Sequence, residues 1–188
     1  LNAVTQSLLE EVLQDSVEVN KASSAQGVVM NIKTGEVLAM ATQPGVNLNN
    51  MGRSNMERTN SLMRNRVVLA GFAPGHGFGI VTAAAALNNG VYDLDSSFEC
   101  DGYMHIEGEH ARVGQAHGQE SLREALERGC ESVLSRISGE LGVNAMYEQF
   151  NNLGFGDSTG VGIAKEGKGS LLHSKYVSDL QIMQMGYG

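Results

Sequence analysis

The sequence predicts an α+β protein that is rich in helix, with an N-terminal β-hairpin and a buried central helix. Three observations lead to this fold class: apolar residues at helical spacing near the N-terminus, two short apolar runs on either side of Gly35, and a continuous apolar run over 78–87. A chain of 188 residues is long enough to bury one core. We therefore expect a single domain over 1–188.

The first elements are a helix and a hairpin. Leu1, Val4, Leu8 and Val12 recur at the spacing of one helical face, which predicts an amphipathic helix to about Asp15 that packs on a sheet. Two apolar runs then flank a turn in which glycine supplies a positive φ. These runs are Gln26–Ile32 and Val37–Thr42, and the glycine is Gly35.

The central helix follows a polar segment. Pro44–Arg66 is rich in asparagine and predicts loop and short helix. Phe78–Leu87 is apolar apart from Thr82, and Asn88-Asn-Gly90 is a typical helix C-terminus. We therefore expect a buried helix that ends at this cap.

The second half of the chain predicts helices after an irregular stretch over Val91–Gln119. Ser121 and Glu124 form a capping box, so we expect a helix that begins there, continues through Val133 and ends at Gly142. Apolar spacing indicates two further helices, over Val143–Leu153 and Ser174–Met185. We find no internal repeat or linker.

Composition excludes some classes of partner. A net charge of −8, a pI near 5.1 and the absence of any run of Lys or Arg argue against nucleic acid. No apolar stretch approaches the roughly 20 residues needed to span a bilayer, and the N-terminus lacks the features of a signal peptide. The sequence therefore predicts either a cytosolic protein or one whose anchor lies outside these residues.

The cysteines and histidines raise the question of whether the chain binds a metal ion. Cys100 and Cys130 fit no metal-binding spacing, and we interpret them as free or buried thiols. Several ligand-type side chains crowd a short segment, and a zinc site made from two or three of them is one interpretation. They are His105, Glu107, Glu109, His110 and His117. Exposed loop residues are the alternative, and our expectation is no metal and no cofactor.

The stretch "FAPGHGFGIVT", Phe72–Thr82, has the form of an active-site helix without its reactive side chains. Pro74 and Gly75 form a turn, and the residue at position 76 is presented at the N-terminus of the helix that follows. A nucleophilic enzyme places Ser or Cys at such a position. This chain has His76.

Several blocks together resemble the transpeptidase domain of class B penicillin-binding proteins, the serine acyltransferases that cross-link peptidoglycan. "VVMNIKTGEVLAMATQP" is similar to that family's first hairpin. "NRVVLAGFAPGHGFGIVTAAAALNNGVYDLDSSFEC" resembles its active-site block, and "HGQESLREALERGCES" and "LGFGDSTGVGI" match the segments that follow. The resemblance runs in order along nearly the whole chain.

The resemblance implies a set of catalytic groups, and none is present in this chain. A nucleophilic Ser is expected where His76 stands, and a general-base Lys where Gly79 stands. In the second motif, Ser-x-Asn, Gly129 and Glu131 take the positions of Ser and Asn. The third motif, Lys-Thr-Gly on a strand, is expected beyond Gly188, together with the C-terminal strands of the sheet. The family geometry implies that Glu131 faces His76. One interpretation is that Glu131 orients the His76 ring for a role as nucleophile or base, and the interpretation that we favour is a non-catalytic replacement.

Three functional interpretations follow. The first is a catalytically inactive transpeptidase-like module that binds peptidoglycan stem peptides or division proteins without covalent chemistry. The second is a portion of an active D,D-transpeptidase that is a target of β-lactams, and the third is an engineered chain on this scaffold. The resemblance implies a location outside the bacterial cytoplasmic membrane. A two-stranded sheet has open edges, so we expect another chain or repacked helices to cover them.

Overall fold

The structure is a computed structural model that describes residues 1–46, 60, 62–106, 108–163 and 165–188. It is an α+β fold, as predicted. The helices are α1 (Ala3–Asn20), α2 (Arg66–Leu69), α3 (Gly79–Asn88), α4 (Leu122–Arg128), α5 (Glu131–Asn152) and α6 (Asp179–Met185). The strands are β1 (Ala25–Met30), β2 (Val37–Gln43), β3 (Ser97–Cys100), β4 (Tyr103–Ile106), β5 (Glu109–Arg112) and β6 (Gly118–Ser121).

The chain divides into two compact units. One comprises Leu1–Ala70 and Gly160–Gly167, and the other comprises Gly71–Thr159 and Lys168–Gly188. The expectation of a single domain stays a prediction. Most of the asparagine-rich segment predicted as loop, residues 47–59 and 61, lies outside the described residues.

The first unit contains the predicted helix and hairpin. Strands β1 and β2 pair antiparallel, and Gly35 in their turn has a φ of 73°, as the sequence indicates. Helix α1 packs on the hairpin and extends beyond the predicted end at Asp15 to Asn20, where Lys21 adopts a left-handed conformation. The predicted packing of a helix on a sheet is confirmed, but the predicted apolar face is wrong. Leu1, Val4, Leu8 and Val12 are all exposed, and the residue that α1 buries is Leu13.

Helix α1 also bonds to the outer edge of β2. The backbone N–H of Asn2 donates to the carbonyl of Leu38 at 2.7 Å. The side-chain amide of Gln6 bonds both the N–H and the carbonyl of Met40, each at 2.9 Å. These groups would otherwise form an unpaired strand edge. A helix of the same chain therefore covers part of the edge of β2.

The core of the second unit surrounds helix α3. This helix follows a 3₁₀ turn over Gly75–Phe78 and buries Thr82, Ala83, Ala85 and Ala86, which confirms a buried central helix. On one side it contacts a cluster that includes Phe98, Leu122 and Ile137. Its other contacts include Met146, Phe150 and Ile182. Small residues on α3 allow this close approach from α5 and α6.

The prediction of an irregular stretch over Val91–Gln119 was wrong in part. Four strands of four residues each lie there and form two separate antiparallel pairs, β3 with β6 and β4 with β5. Burial alternates along β3, where Phe98 and Cys100 point inward. A four-residue strand shows two periods of alternation at most, which is too short for the pattern to be recognised.

The helix predicted from Ser121 to Gly142 is two helices. The capping box of Ser121 and Glu124 is present, but α4 ends at Gly129, whose φ of 65° is left-handed. Helix α5 then begins at Glu131 and passes through Gly142, where φ 72° and ψ 175° interrupt the helical conformation. The predicted break at Gly142 is therefore correct, and the additional break at Gly129 places residues 129–131 at a junction.

Candidate functional site

His76 lies in the 3₁₀ turn that leads into α3. The turn begins after Pro74, and Gly75 has a φ of 63°, so the predicted Pro-Gly turn is present. The His76 side chain is 64% exposed. The structure therefore presents the imidazole at the surface, beside the start of the buried helix.

Glu131 reaches this imidazole from the start of α5. The distance from His76 Nε2 to Glu131 Oε1 is 2.8 Å, and the Glu131 side chain is 24% exposed. A carboxylate is stabilised at this position because the N-terminal end of a helix carries partial positive charge. The two residues that the family resemblance implies to face each other are in contact.

Gly129 lies beneath the His76 ring. A Cβ added to Gly129 would be 3.0 Å from His76 Nδ1 and 3.1 Å from its Cγ. The left-handed φ of 65° is also a conformation that side chains with a Cβ rarely adopt. Both the backbone and the imidazole therefore favour glycine here.

Gly79 is buried at the first position of α3, and its neighbour is a leucine. A Cβ at Gly79 would be 2.6 Å from Leu134 Cδ1 and 3.6 Å from Leu126 Cδ2. Leu134 is fully buried. Aliphatic packing therefore occupies the space into which a side chain at position 79 would extend.

A pocket of about 220 Å³ lies beside His76, and its lining includes Gly129, Glu131 and Ser132. Ser132 is the hydroxyl nearest in sequence to this junction, but it is buried and its Oγ donates to the carbonyl of Tyr103 at 2.8 Å. The hydrogen bond that the structure gives to the His76 imidazole is with a carboxylate. This arrangement suits polar binding better than activation of a hydroxyl nucleophile.

The two cysteines meet in the core of the same unit, which spacing alone did not indicate. Cys100 Sγ and Cys130 Sγ are 3.0 Å apart as free thiols. His117 and Glu120 lie beside them, and one ligand-type atom from each of the four residues lies within 4.8 Å of the others. Burial and the hydrogen bond to Cys100 raise the pKa of the Cys130 thiol.

The histidine-rich segment does not converge as a single group. His105 Nδ1 lies 2.7 Å from His110 Nδ1 across the β4–β5 hairpin, and His105 Nε2 lies 2.7 Å from Asp101 Oδ2. His117 belongs instead with the cysteines. Glu109 is exposed on β5, and Glu107 lies outside the described residues.

The fold and the order of these positions define a domain of the transpeptidase type. The chain belongs to the penicillin-binding protein transpeptidase domain family, whose model matches residues 25–188. Two solved structures share the fold over the whole chain, each with a TM-score of 0.85. One is described as a peptidoglycan glycosyltransferase from Burkholderia ambifaria (21% identical, 54% of that chain covered). The other is the TP domain of Burkholderia pseudomallei penicillin-binding protein 3 (20% identical, 51% covered).

Curated relatives include proteins of cell-wall synthesis and sporulation. Over 185 residues, the chain is 28% identical to peptidoglycan D,D-transpeptidase FtsI of Escherichia coli K12. The aligned region covers 97% of the chain and 31% of that relative. It is 25% identical to stage V sporulation protein D of Bacillus subtilis, with 100% of the chain and 29% of that relative covered. The chain thus spans about a third of the length of these relatives. None of the described helices has the length and apolar character required to cross a membrane.

Proposed function

We propose that this chain is a catalytically inactive transpeptidase-like module that binds peptidoglycan stem peptides or a protein partner without forming an acyl-enzyme. The observation that carries this proposal is the contact between His76 and Glu131 at 2.8 Å, at the positions where the family resemblance implies a nucleophilic Ser and an Asn. A carboxylate and an imidazole at the mouth of a pocket can hydrogen-bond a peptide ligand. They do not supply the hydroxyl of a serine acyltransferase.

The packing around Gly79 supports the same conclusion. The resemblance implies a lysine at this position, whose amine lowers the cost of deprotonating the nucleophile. A Cβ here would be 2.6 Å from Leu134 Cδ1. The core is therefore adapted to glycine, and a general base at position 79 would require Leu134 to move.

Gly129, in the second motif, also supports the proposal that the module is catalytically inactive. A serine there would bring a Cβ to 3.0 Å from His76 Nδ1, on a backbone with a φ of 65°. When one member of a catalytic unit is removed, the remaining members lose most of their effect on the rate. Four positions of such a unit are replaced together here: His76, Gly79, Gly129 and Glu131.

The rival function is a portion of an active D,D-transpeptidase. It is favoured by the names of the curated relatives, among them peptidoglycan D,D-transpeptidase FtsI. Because position 76 holds no serine, a different side chain must attack the substrate in this case. The side chains to test are the exposed His76, and Ser132 and Cys130, which are both buried. By the same family resemblance, we propose that this protein acts at the outer face of the bacterial cytoplasmic membrane.

Reaction with a fluorescent penicillin separates the two functions. The purified chain is incubated with the reagent and analysed by denaturing electrophoresis and intact mass, with heat-denatured chain as the control for non-specific labelling. We expect no adduct above that control. A stoichiometric adduct would overturn the proposal, and its loss in His76→Ala, Ser132→Ala or Cys130→Ala would identify the nucleophile.

Non-covalent binding is tested with a synthetic stem peptide. Titration calorimetry is expected to show saturable binding that weakens in Glu131→Ala, because that variant removes the pocket carboxylate. Glu148→Ala, on the same helix α5 but outside the residues that line this pocket, is the matched control. If the folded chain binds no peptide at millimolar concentration, the peptide arm of the proposal is rejected and a protein partner remains.

A further inference from the structure

Four metal-ligating side chains converge beside the candidate site. The separations are 3.0 Å between Cys100 Sγ and Cys130 Sγ, 3.4 Å between Cys100 Sγ and His117 Nδ1, and 3.6 Å between His117 Nδ1 and Glu120 Oε1. Ligands of a tetrahedral zinc ion, with bonds of about 2.0–2.3 Å, lie roughly 3.3–3.8 Å from one another. The two separations that involve His117 fall in this range, whereas the two sulfurs are closer together and all four ligand-type atoms lie within 4.8 Å of one another. Small side-chain adjustments would therefore bring the cluster to the size of a zinc coordination sphere.

The fold holds each ligand through main-chain hydrogen bonds. Cys100 ends β3 opposite Gly118 of β6, and the N–H of His117 donates to the carbonyl of Cys100 at 3.1 Å. Cys130 is the N-cap residue of α5, and its N–H donates to the carbonyl of Ala125 at 2.8 Å. Ligands from two strands and a helix junction thus meet at positions that the backbone defines.

Glu120 provides a second, independent observation. It is 2% exposed, and within the part of the chain that the structure describes its Oε1 accepts no hydrogen bond. The other oxygen, Oε2, is 3.2 Å from Arg128 Nη1. A buried carboxylate oxygen is costly to leave without a partner, and a cation among these four side chains would supply one. The orphan atom is the one that lies 3.6 Å from His117 Nδ1, inside the cluster.

We propose that Cys100, His117, Glu120 and Cys130 bind one Zn²⁺ ion in tetrahedral coordination. Sulfur, imidazole nitrogen and carboxylate oxygen are the ligands that zinc takes in proteins. Two thiolates and one carboxylate carry three negative charges, which the ion and Arg128 together balance. On binding, each thiol releases its proton to solvent, so that zinc replaces two protons.

Such a site has a structural role. Four protein ligands leave no open coordination position for water or substrate, which is the arrangement of a structural zinc centre. Cys130 lies between Gly129 and Glu131, so the ion would join the β3–β6 pair to the junction that carries both of these residues. Zinc would therefore stabilise the position of Glu131 beside His76. This inference is independent of whether the module is catalytic.

The test measures metal content and coordination in the purified chain. The chain is prepared under reducing conditions without chelator, and zinc is measured by inductively coupled plasma mass spectrometry. We expect one zinc per chain. After chelation, Co²⁺ titration is expected to produce a thiolate-to-cobalt charge-transfer band and the visible bands of tetrahedral cobalt.

Variants assign the ligands. Cys130→Ser and His117→Gln are expected to weaken zinc binding by at least roughly tenfold, and Arg128→Ala to weaken it by about 10–100-fold through loss of support for Glu120. Glu99→Gln and His110→Gln are matched controls outside the cluster and should leave affinity unchanged. Circular dichroism establishes that each variant is folded. Because a ligand variant can fail to fold, the cobalt spectrum of the unmodified chain is the decisive measurement.

Three results would overturn the proposal. One is a folded, reduced chain that contains no stoichiometric zinc and gives no thiolate-to-cobalt band. The second is zinc binding that persists unchanged in Cys130→Ser and His117→Gln. The third is a Cys100–Cys130 disulfide in the chain as isolated, because oxidised sulfur does not ligate zinc.

Discussion

His76 Nε2 lies 2.8 Å from Glu131 Oε1, although the two residues are 55 positions apart in the sequence. The imidazole comes from the 3₁₀ turn before α3 and the carboxylate from the first residue of α5. The contact depends on the break at Gly129, which ends one helix and starts the next within two residues. The two helices thereby set the geometry of the candidate site.

The pair is expected to contribute little to stability. The side chains are 64% and 24% exposed, and solvent screens an ion pair of this kind. A double-mutant cycle with His76→Ala and Glu131→Ala should give a coupling free energy of about 0.2–1 kcal/mol in urea denaturation. A coupling above about 2 kcal/mol would show that the pair is a major structural element, contrary to a role in binding.

Gly79→Ala is expected to destabilise the protein by about 1–3 kcal/mol, because the added methyl group overlaps Leu134. The distance would be 2.6 Å from Leu134 Cδ1. In a Leu134→Ala background the same change should be much less costly, since the space is then free. Gly77→Ala, where an added Cβ meets nothing within 4 Å, is the control. Equal costs in both backgrounds, measured by chemical denaturation, would contradict the packing described here.

Gly129→Ala is expected to cost about 1–2 kcal/mol from the left-handed backbone alone, with a further cost from contact with His76. In a His76→Ala background the ring contact is removed, so the penalty should fall but not vanish. Gly114→Ala, at a position with open space and no positive φ, is the matched control. If Gly129→Ala is as mild as Gly114→Ala in urea denaturation, the junction does not require glycine.

Glu140 is expected to make stability depend on acidic pH. Burial opposes ionisation of Glu140, but hydrogen bonds from Arg136 and Tyr92 outweigh it and hold the pKa of this carboxyl below its usual 4.5. A lowered pKa in the folded state means that the stabilisation is present above the unfolded pKa. It is lost as pH falls through the folded pKa.

Tyr92→Phe removes one of these hydrogen bonds and keeps the ring, whose centroid is 4.9 Å from that of Phe98. We expect a loss of at most about 1 kcal/mol near pH 7, because Glu140 is partly exposed. The difference from the unmodified chain should shrink below the usual pKa of glutamate. Thermal denaturation across pH measures this, with Tyr176→Phe, 70% exposed, as the control. A difference that stays constant with pH would contradict the network.

Gly186→Ala is expected to destabilise the packing of α6 on α5. An added Cβ would lie 2.5 Å from the carbonyl oxygen of Leu134 and 2.6 Å from Ser138 Cβ, and backbone cannot move aside as a side chain can. The helix is also held by Ser138 Oγ, which donates to the carbonyl of Ile182 at 2.5 Å. We expect a loss of roughly 2 kcal/mol or more in urea denaturation. An unchanged midpoint would contradict the close approach.

Features that depend on neighbouring residues could be predicted from the sequence. The capping box of Ser121 and Glu124, the Gly35 turn and the buried helix 79–88 are all present, because each follows from local hydrogen bonding or from the spacing of apolar side chains. The fold class also follows from them. The short strands β3–β6 were missed because four residues carry too little periodicity.

The sequence by itself determined which chemical groups stand at the positions that the resemblance makes catalytic, with His76 in place of serine and Gly79 in place of lysine. Only the tertiary structure decided what surrounds them. Long-range packing brings Glu131 to His76, fills the space at Gly79 with Leu134, and joins Cys100 to Cys130 with His117 and Glu120. Contacts between distant segments depend on how whole elements pack, and no local pattern encodes those distances.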